Sequence, residues 1–322
     1  MSRTITKFRN FLGQSKKGVY FAPDRMFKKE KSIKSKIGTY LDSTLNNLYH
    51  TRNSIDKEQK KITIIKCRNF FGQSKKGVYF APDLMFKKEQ SIESKIGTDL
   101  DSTLNNLYHT HNNLNKEQKR ITIGGDHSTS IASIAWTLNN YPNAKVLWID
   151  AHADINTRTT SPSNNIHGMP LAYLSGIEYS SNWKFIKNKL NLKNLMYVGI
   201  RDLDPFEKDI LDNHQIQRVN VSEFNNNKFN KIINFLGDST YHLSLDIDSI
   251  DPSFIPCTGT PSNNGLNINT FLDFIKVLNF KNMINMDIVE INLDIGTEID
   301  KSTSLNNIKL IEKEFLQNKS IF

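Results

Sequence analysis

Five short apolar or β-branched runs, Ile121–Ile123, Val146–Ile149, Met196–Ile200, His242–Leu245 and Met286–Val289, alternate with stretches of helical character, and four of them end directly in Gly, Asp or Glu. Strands alternating with helices build a mostly parallel sheet flanked by helices. The chain is therefore expected to be an α/β protein. In such sheets ligands bind beyond the carboxyl ends of the strands, which is where the polar residues fall.

Composition narrows the class further. No apolar run approaches the roughly 18 residues of a membrane-spanning helix, so a water-soluble protein is expected. The two cysteines, Cys67 and Cys257, make neither a disulfide framework nor a paired-cysteine zinc site, which fits a reducing, cytoplasmic compartment. A net charge of +9 would suit nucleic acid if it were spread over the fold. Instead residues 1–66 hold 16 Lys or Arg against 5 Asp or Glu, and the remainder holds 26 against 28. The body of the chain is nearly neutral, and no nucleic-acid partner is expected.

The basic end is half of a duplication. Residues 9–64 match residues 68–123 at 46 of 56 positions, and GQSKKGVYFAPD occurs at Gly13 and Gly72. Two copies with no third are a duplicated segment, not a solenoid. The second copy runs straight into Gly124-Gly125-Asp126-His127-Ser128, so it is expected to belong to the fold. Residues 1–61 would then be an extra arm, and 62–322 the main domain. Within copy two, Ile62–Lys66 reads as an opening strand, and Ser91–Leu107 as a helix with Ile92, Ile96, Leu100, Leu104 and Leu107 on one face. The first 19 residues are basic and lack acids, like a mitochondrial transit peptide, but the repeat accounts for most of them. Gly72 to Gly77 spaces its glycines like a phosphate loop, yet Val78 stands where that loop needs Lys.

Ligand-type residues concentrate in three segments at strand ends: Gly-Gly-Asp-His127-Ser, Asp150-Ala-His152-Ala-Asp154 and Ser-Leu-Asp246-Ile-Asp248. In extended chain, residues i, i+2 and i+4 share a face, so each set can converge. Four carboxylates gathered on one floor would repel one another, and two divalent cations would balance them. Oxygen-rich ligation with two imidazoles favours Mn2+, with Fe2+, Co2+ or Zn2+ as alternatives.

These segments resemble the arginase family of ureohydrolases. GGDHS, DAHADIN, HGMPLAYL, YVGIRDLDP, HLSLDIDSIDPSF, TGTP and DIVEIN occur in the family's order, over about residues 62–310. The resemblance implies a three-layer α/β/α fold around a sheet of about eight strands, assembled as a trimer or hexamer. It implies hydrolysis of L-arginine to L-ornithine and urea by a hydroxide bridging two Mn2+ ions per subunit. His127, Asp150, Asp154 and Asp246 would hold one ion, and His152, Asp150, Asp246 and Asp248 the other. Asp154 would pass a proton to the departing amine, His167 would shuttle protons at the mouth, and Glu290 would pair with the guanidinium. Asn156, Ser161, Ser163 and Asn165 would hold the substrate carboxylate, Asp204 and Glu207 its ammonium, and Thr260 would lie on a further substrate loop.

Departures from the family pattern are Ser249-Ile250, where a glycine is common, Cys257 ahead of TGTP, and a polar tip at Ser262-Asn263-Asn264. None removes a ligand. The alternatives are agmatine or guanidinobutyrate as substrate, or a non-catalytic homologue with a regulatory role.

Overall fold

The computed structural model describes residues 62–318, 320 and 321, so the first repeat copy and the expected arm at 1–61 lie outside the described residues. The strands are β1 (Ile62–Lys66), β2 (Ser91–Glu93), β3 (Lys119–Ile123), β4 (Lys145–Ile149), β5 (Leu195–Val198), β6 (Gln217–Val219), β7 (Tyr241–Asp246) and β8 (Met283–Val289). The helices are α1 (Leu100–Asn112), α2 (Ser130–Asn140), α3 (Pro170–Ser175), α4 (Pro205–Asn213), α5 (Val221–Asn225), α6 (Asn230–Leu236), α7 (Ile268–Val277) and α8 (Glu298–Gln317). Among the described residues no helix is long and apolar enough to cross a membrane.

All eight strands pair in parallel, in the order β2-β1-β3-β8-β7-β4-β5-β6. Alternate residues of each strand point to opposite faces, and helices cover both. On one face Val146, Trp148, Leu195 and Tyr197 pack with Leu104 and Leu107 of α1, Ile131 and Leu138 of α2, and Leu211 of α4. On the other, Leu147, Ile149, Met196 and Val198 pack with Phe224 of α5, Ile232 of α6, Phe271 and Phe274 of α7, and Ile308 and Ile311 of α8. The expected three-layer α/β/α arrangement is the one observed.

The helix expected over Ser91–Leu107 is corrected. Ser91–Glu93 forms the edge strand β2, and α1 begins only after Asp99, whose side chain accepts from Ser102 N at 2.8 Å. Ile92 and Ile96 fit the helical period, but a capping aspartate overrides it. The run expected over Met196–Ile200 stops as strand at Val198, where Gly199 turns to φ +89°. The departure at Ser249-Ile250 causes no distortion: Ile250 joins the core and Ser249 Oγ donates to Asp246 O at 2.7 Å.

Order matters for the site. The four adjacent strands β3, β8, β7 and β4 all end at the same edge, where β3, β8 and β4 lead into Gly124, Glu290 and Asp150 and β7 ends on Asp246.

Candidate metal centre

His127 lies just past β3, where the chain turns into α2 with Asp126 capping the turn at Ser128 N. The turn needs Gly125, since a Cβ there would sit 1.6 Å from Asn69 O. The fully buried ring stacks on Trp148 at 4.1 Å, and Nε2 meets Ser244 Oγ at 2.9 Å. Its other nitrogen, Nδ1, faces Asp150 Oδ2 at 3.1 Å, Asp154 Oδ2 at 3.0 Å and Asp246 Oδ2 at 3.1 Å. None of these contacts has hydrogen-bond geometry, so a buried nitrogen is left without a partner amid three carboxylate oxygens. A single proton could serve only one of them, whereas a cation would serve all four groups.

A second group adjoins the first. His152 Nδ1 lies 3.2 Å from Asp248 Oδ2 and 3.5 Å from Asp150 Oδ1. His127, Asp150 and Asp154 can bring ligand atoms together around one ion, and Asp150, His152 and Asp248 around another. Asp150 belongs to both groups, as a bridging carboxylate must. The expected residues do come together, but through bends after Ile149, the left-handed Asp154 and the 3-10 turn Ile247–Ser249, not through extended chain. The donor set of carboxylate oxygens and imidazole nitrogens fits borderline and hard divalent ions.

Electrostatics give the same indication. Burial first, then the charge of Asp150, pushes the Asp154 carboxyl up to about 6, and burial raises Asp246 and Asp248 as well. The cluster as an isolated set of anions is strained, and positive charge would relieve it. Asp154 also holds φ +49° and Glu290 φ +67°, left-handed values uncommon for either residue.

Glu290 follows β8 and is fully buried. Oε1 accepts from His127 N at 2.9 Å and pairs with His167 Nδ1 at 3.0 Å, while Oε2 accepts from Gln73 Nε2 at 2.6 Å. Burial disfavours a charged His167, but the adjacent Glu290 carboxylate outweighs it and raises the imidazole to about 9.

Above these groups opens a cavity of about 270 Å3, lined by His152, Asp154, Asp246 and His167 below and by Asn156, Ser161, Ser163, Asp204, Glu207 and Thr260 around it. Asn165 is not among its lining residues. Glu207 is buried against the chain: its oxygens accept from Ile155 N at 3.1 Å and Asp204 N at 3.0 Å. Asp204 Oδ2 accepts from Asn156 Nδ2 at 2.8 Å, and Thr260 Oγ1 donates to Asp248 Oδ2 at 2.9 Å.

Four residues at the centre were not anticipated from the sequence. Asp202 lines the cavity and reaches within 3.8 Å of His152 Nε2. Trp148 Nε1 donates to Asp150 Oδ2 at 2.9 Å, and Ser244 touches His127. Both sit two residues before a clustered aspartate, so extending the strand's period backwards points to them. Gln73 carries no such signal, since a polar loop ordinarily reads as solvated.

The arginase family model matches residues 9–315. Saccharomyces cerevisiae arginase is 36% identical over 191 residues, covering 55% of this chain and 57% of that protein. Plasmodium falciparum arginase is 37% identical over 224 residues, covering 64% of this chain and 53% of that protein. The chain spans about half the length of these curated relatives. The crystal structure of Entamoeba histolytica arginase in complex with L-ornithine superposes with a TM-score of 0.71 at 30% identity, over 80% of this chain and 99% of that one.

Proposed function

The chain belongs to the arginase family of ureohydrolases, and from that premise we propose that it hydrolyses L-arginine to L-ornithine and urea at the cluster between His127 and Glu290. The observation that supports this most is the partnerless His127 Nδ1 among three carboxylates, at the foot of a cavity. In this reading His127, Asp150, Asp154 and Asp246 hold one divalent ion, and His152, Asp150, Asp246 and Asp248 the other, with Mn2+ the best match to the donors. Bound there, the pair supplies compensating charge and a water acidified toward neutrality.

The chain's own groups divide the remaining work. Glu290 offers the planar guanidinium a carboxylate whose shape matches its fork of donors. His167 now shares that carboxylate, and a guanidinium arriving there would compete for it, freeing the imidazole to exchange protons at the mouth. Asp154, which lines the cavity beside the ion groups, would hand a proton to the departing amine. Asn156, Ser161 and Ser163 line the cavity and would offer donors to the substrate carboxylate, with Asn165 in the same loop, while Asp204, bonded to Asn156, would accept from the ammonium. Glu207, whose oxygens hold the backbone at Ile155 and Asp204, would act on the ammonium chiefly by fixing Asp204. The catalytic unit of the proposal is 62–322, placed in the cytoplasm and assembled as a trimer or hexamer.

Urea release from arginine, agmatine and guanidinobutyrate, each with and without added Mn2+, tests the reading. Arginine is expected to be the best substrate, chelation to abolish turnover, and Asp150→Ala to do the same because that carboxylate serves both ion groups. Full turnover after chelation would remove the metal reading. Agmatine turned over as fast as arginine would leave a ureohydrolase of different specificity.

A further inference from the structure

Gln73 lies half-buried in the loop between β1 and the 3-10 helix Lys76–Asp83, with its carboxamide between Glu290 and Gly259. Nε2 donates to Glu290 Oε2 at 2.6 Å, and Oε1 points toward Gly259, where an added Cβ would lie 3.1 Å from it. That contact fixes the amide's orientation, because the flipped amide would set an oxygen against a carboxylate oxygen. The loop is pinned on both sides. Gly72 N donates to Asp126 Oδ2 at 2.8 Å, His167 N donates to Gly72 O at 3.2 Å, and Lys75 Nζ donates to Gly259 O. Gln73 is thus presented by an anchored backbone, not by a free surface loop.

Glu290 needs such a partner. Its Oε1 has two donors, His127 N and His167 Nδ1, but Gln73 is the donor to Oε2. The terminal torsion of a glutamate is broad, so donors on one oxygen alone leave the carboxylate plane loosely set. We propose that Gln73 is a positioning residue that locks the plane of the Glu290 carboxylate, so that a planar amidinium displacing the His167 contact would meet two oxygens held in one fixed plane. A planar fork rewards that alignment far more than a rounded ammonium does, so Gln73 contributes to the choice of guanidino substrates over amines. Gly259 shares in the device, since a side chain there would press on the amide. The inference rests on the reading of Glu290 as the guanidinium partner.

Gln73→Met and Gln73→Glu, made in the full chain loaded with Mn2+, separate positioning from support. The unaltered protein first identifies which of arginine, agmatine and guanidinobutyrate it hydrolyses. That compound is the test substrate, and its amine product, which lacks the guanidinium, is the control ligand. Gln73→Met is expected to lower kcat/KM by about tenfold, the loss of one hydrogen bond to a charged group, with product Ki and bound metal unchanged. Gln73→Glu should be worse than Gln73→Met despite its nearer shape, because it sets one carboxylate against another. The proposal is overturned if Gln73→Glu is the milder change, or if product Ki rises in proportion to substrate KM, as a collapsed loop would cause. Hydrolysis of agmatine but not arginine would fail the arginine reading alone and leave the Gln73 comparison standing. Absence of any amidine hydrolysis would overturn both.

Discussion

The two copies of the repeat carry the same apolar positions at helical spacing, Ile33, Ile37, Leu41, Leu45 and Leu48 in the first and Ile92, Ile96, Leu100, Leu104 and Leu107 in the second, of which only Leu100, Leu104 and Leu107 lie in α1, and yet they differ where the slot is most demanding. Arg120, which is Lys61 in copy one, lies over the Trp136 ring at 3.7 Å and donates to the carbonyls of Gln118, Asn115 and Leu114 beyond the end of α1. His111, which is Arg52 in copy one, is fully buried beside it, bonded to Thr122 Oγ1 at 3.3 Å. Burial, then the Arg120 charge, lowers its pKa to about 3 and keeps it neutral. Asp99, the cap of α1, is Tyr40, and Leu84, packed against the core, is Arg25. Periodicity therefore cannot choose between the copies. Buried polar groups and caps can, because they tolerate only a partner of the right charge and shape.

The largest effect should come from forcing copy one into the slot. Deleting residues 60–118 joins Gln59 to Lys119, leaves one intact repeat of nearly the same pattern, and puts Arg3-Thr4-Ile5-Thr6-Lys7 in the sequence position of β1. Arg52 would then take the place of His111 next to Arg120, burying two guanidiniums with no carboxylate between them. An unpaired buried charge alone costs about 3–5 kcal/mol, and the lost cap and the charge at Arg25 add to it. The protein is expected to be insoluble or to lack a cooperative melting transition. A normal transition and full activity would show that the copies are interchangeable.

His111→Arg in the full chain isolates the main part of that penalty. With the rest of copy two intact, a loss of about 3–5 kcal/mol is expected, read by calorimetry as a Tm lower by roughly 10 °C. A shift under about 2 °C would mean that the site admits a second cation, and the comparison loses its strongest term. Arg120→Lys should cost less, about 1–2 kcal/mol, since the charge and some carbonyl contacts remain while the planar stack on Trp136 is lost. Asp99→Tyr should be milder still, because the cap is exposed and Ser102 N can turn to water. Urea denaturation of the two variants side by side checks the order.

How much of this was legible before folding depends on the range of each signal. Central strands such as Val146–Ile149 could be read directly because burial on both faces leaves a continuous apolar run. The metal-type cluster was legible because ligand-type residues crowd directly after strand ends, whereas the chain gathers Asp150, His152 and Asp154 by bending past Ile149 and turning Asp154 to φ +49°, not by an extended period of two. The edges were not legible. Strands β2 and β6 have three residues each, mostly exposed or half-buried, and draw their pairing from neighbours in space. Gln73 and Glu290 lie 217 residues apart, and no local pattern in a short polar loop announces that contact.

The smallest effect should come from removing residues 1–59, and it is also the cleanest test of the comparison. Lys61–Ile123 still supplies β1, the loop with Gln73, α1 and β3, together with Asp99, His111 and Arg120. Every described contact of the metal-type cluster lies within 62–322, from Gly72 and Asn69 on the Asp126 turn to Glu290. The truncated protein is expected to keep kcat/KM within about twofold, and to keep its melting transition, since no named interaction of the site is removed. Loss of folding on truncation, with the full chain active, would show that copy one contributes to stability as copy two does. The differences at Arg120, His111 and Asp99 would then mark two slots, each suited to its own copy, and not one slot that rejects the other.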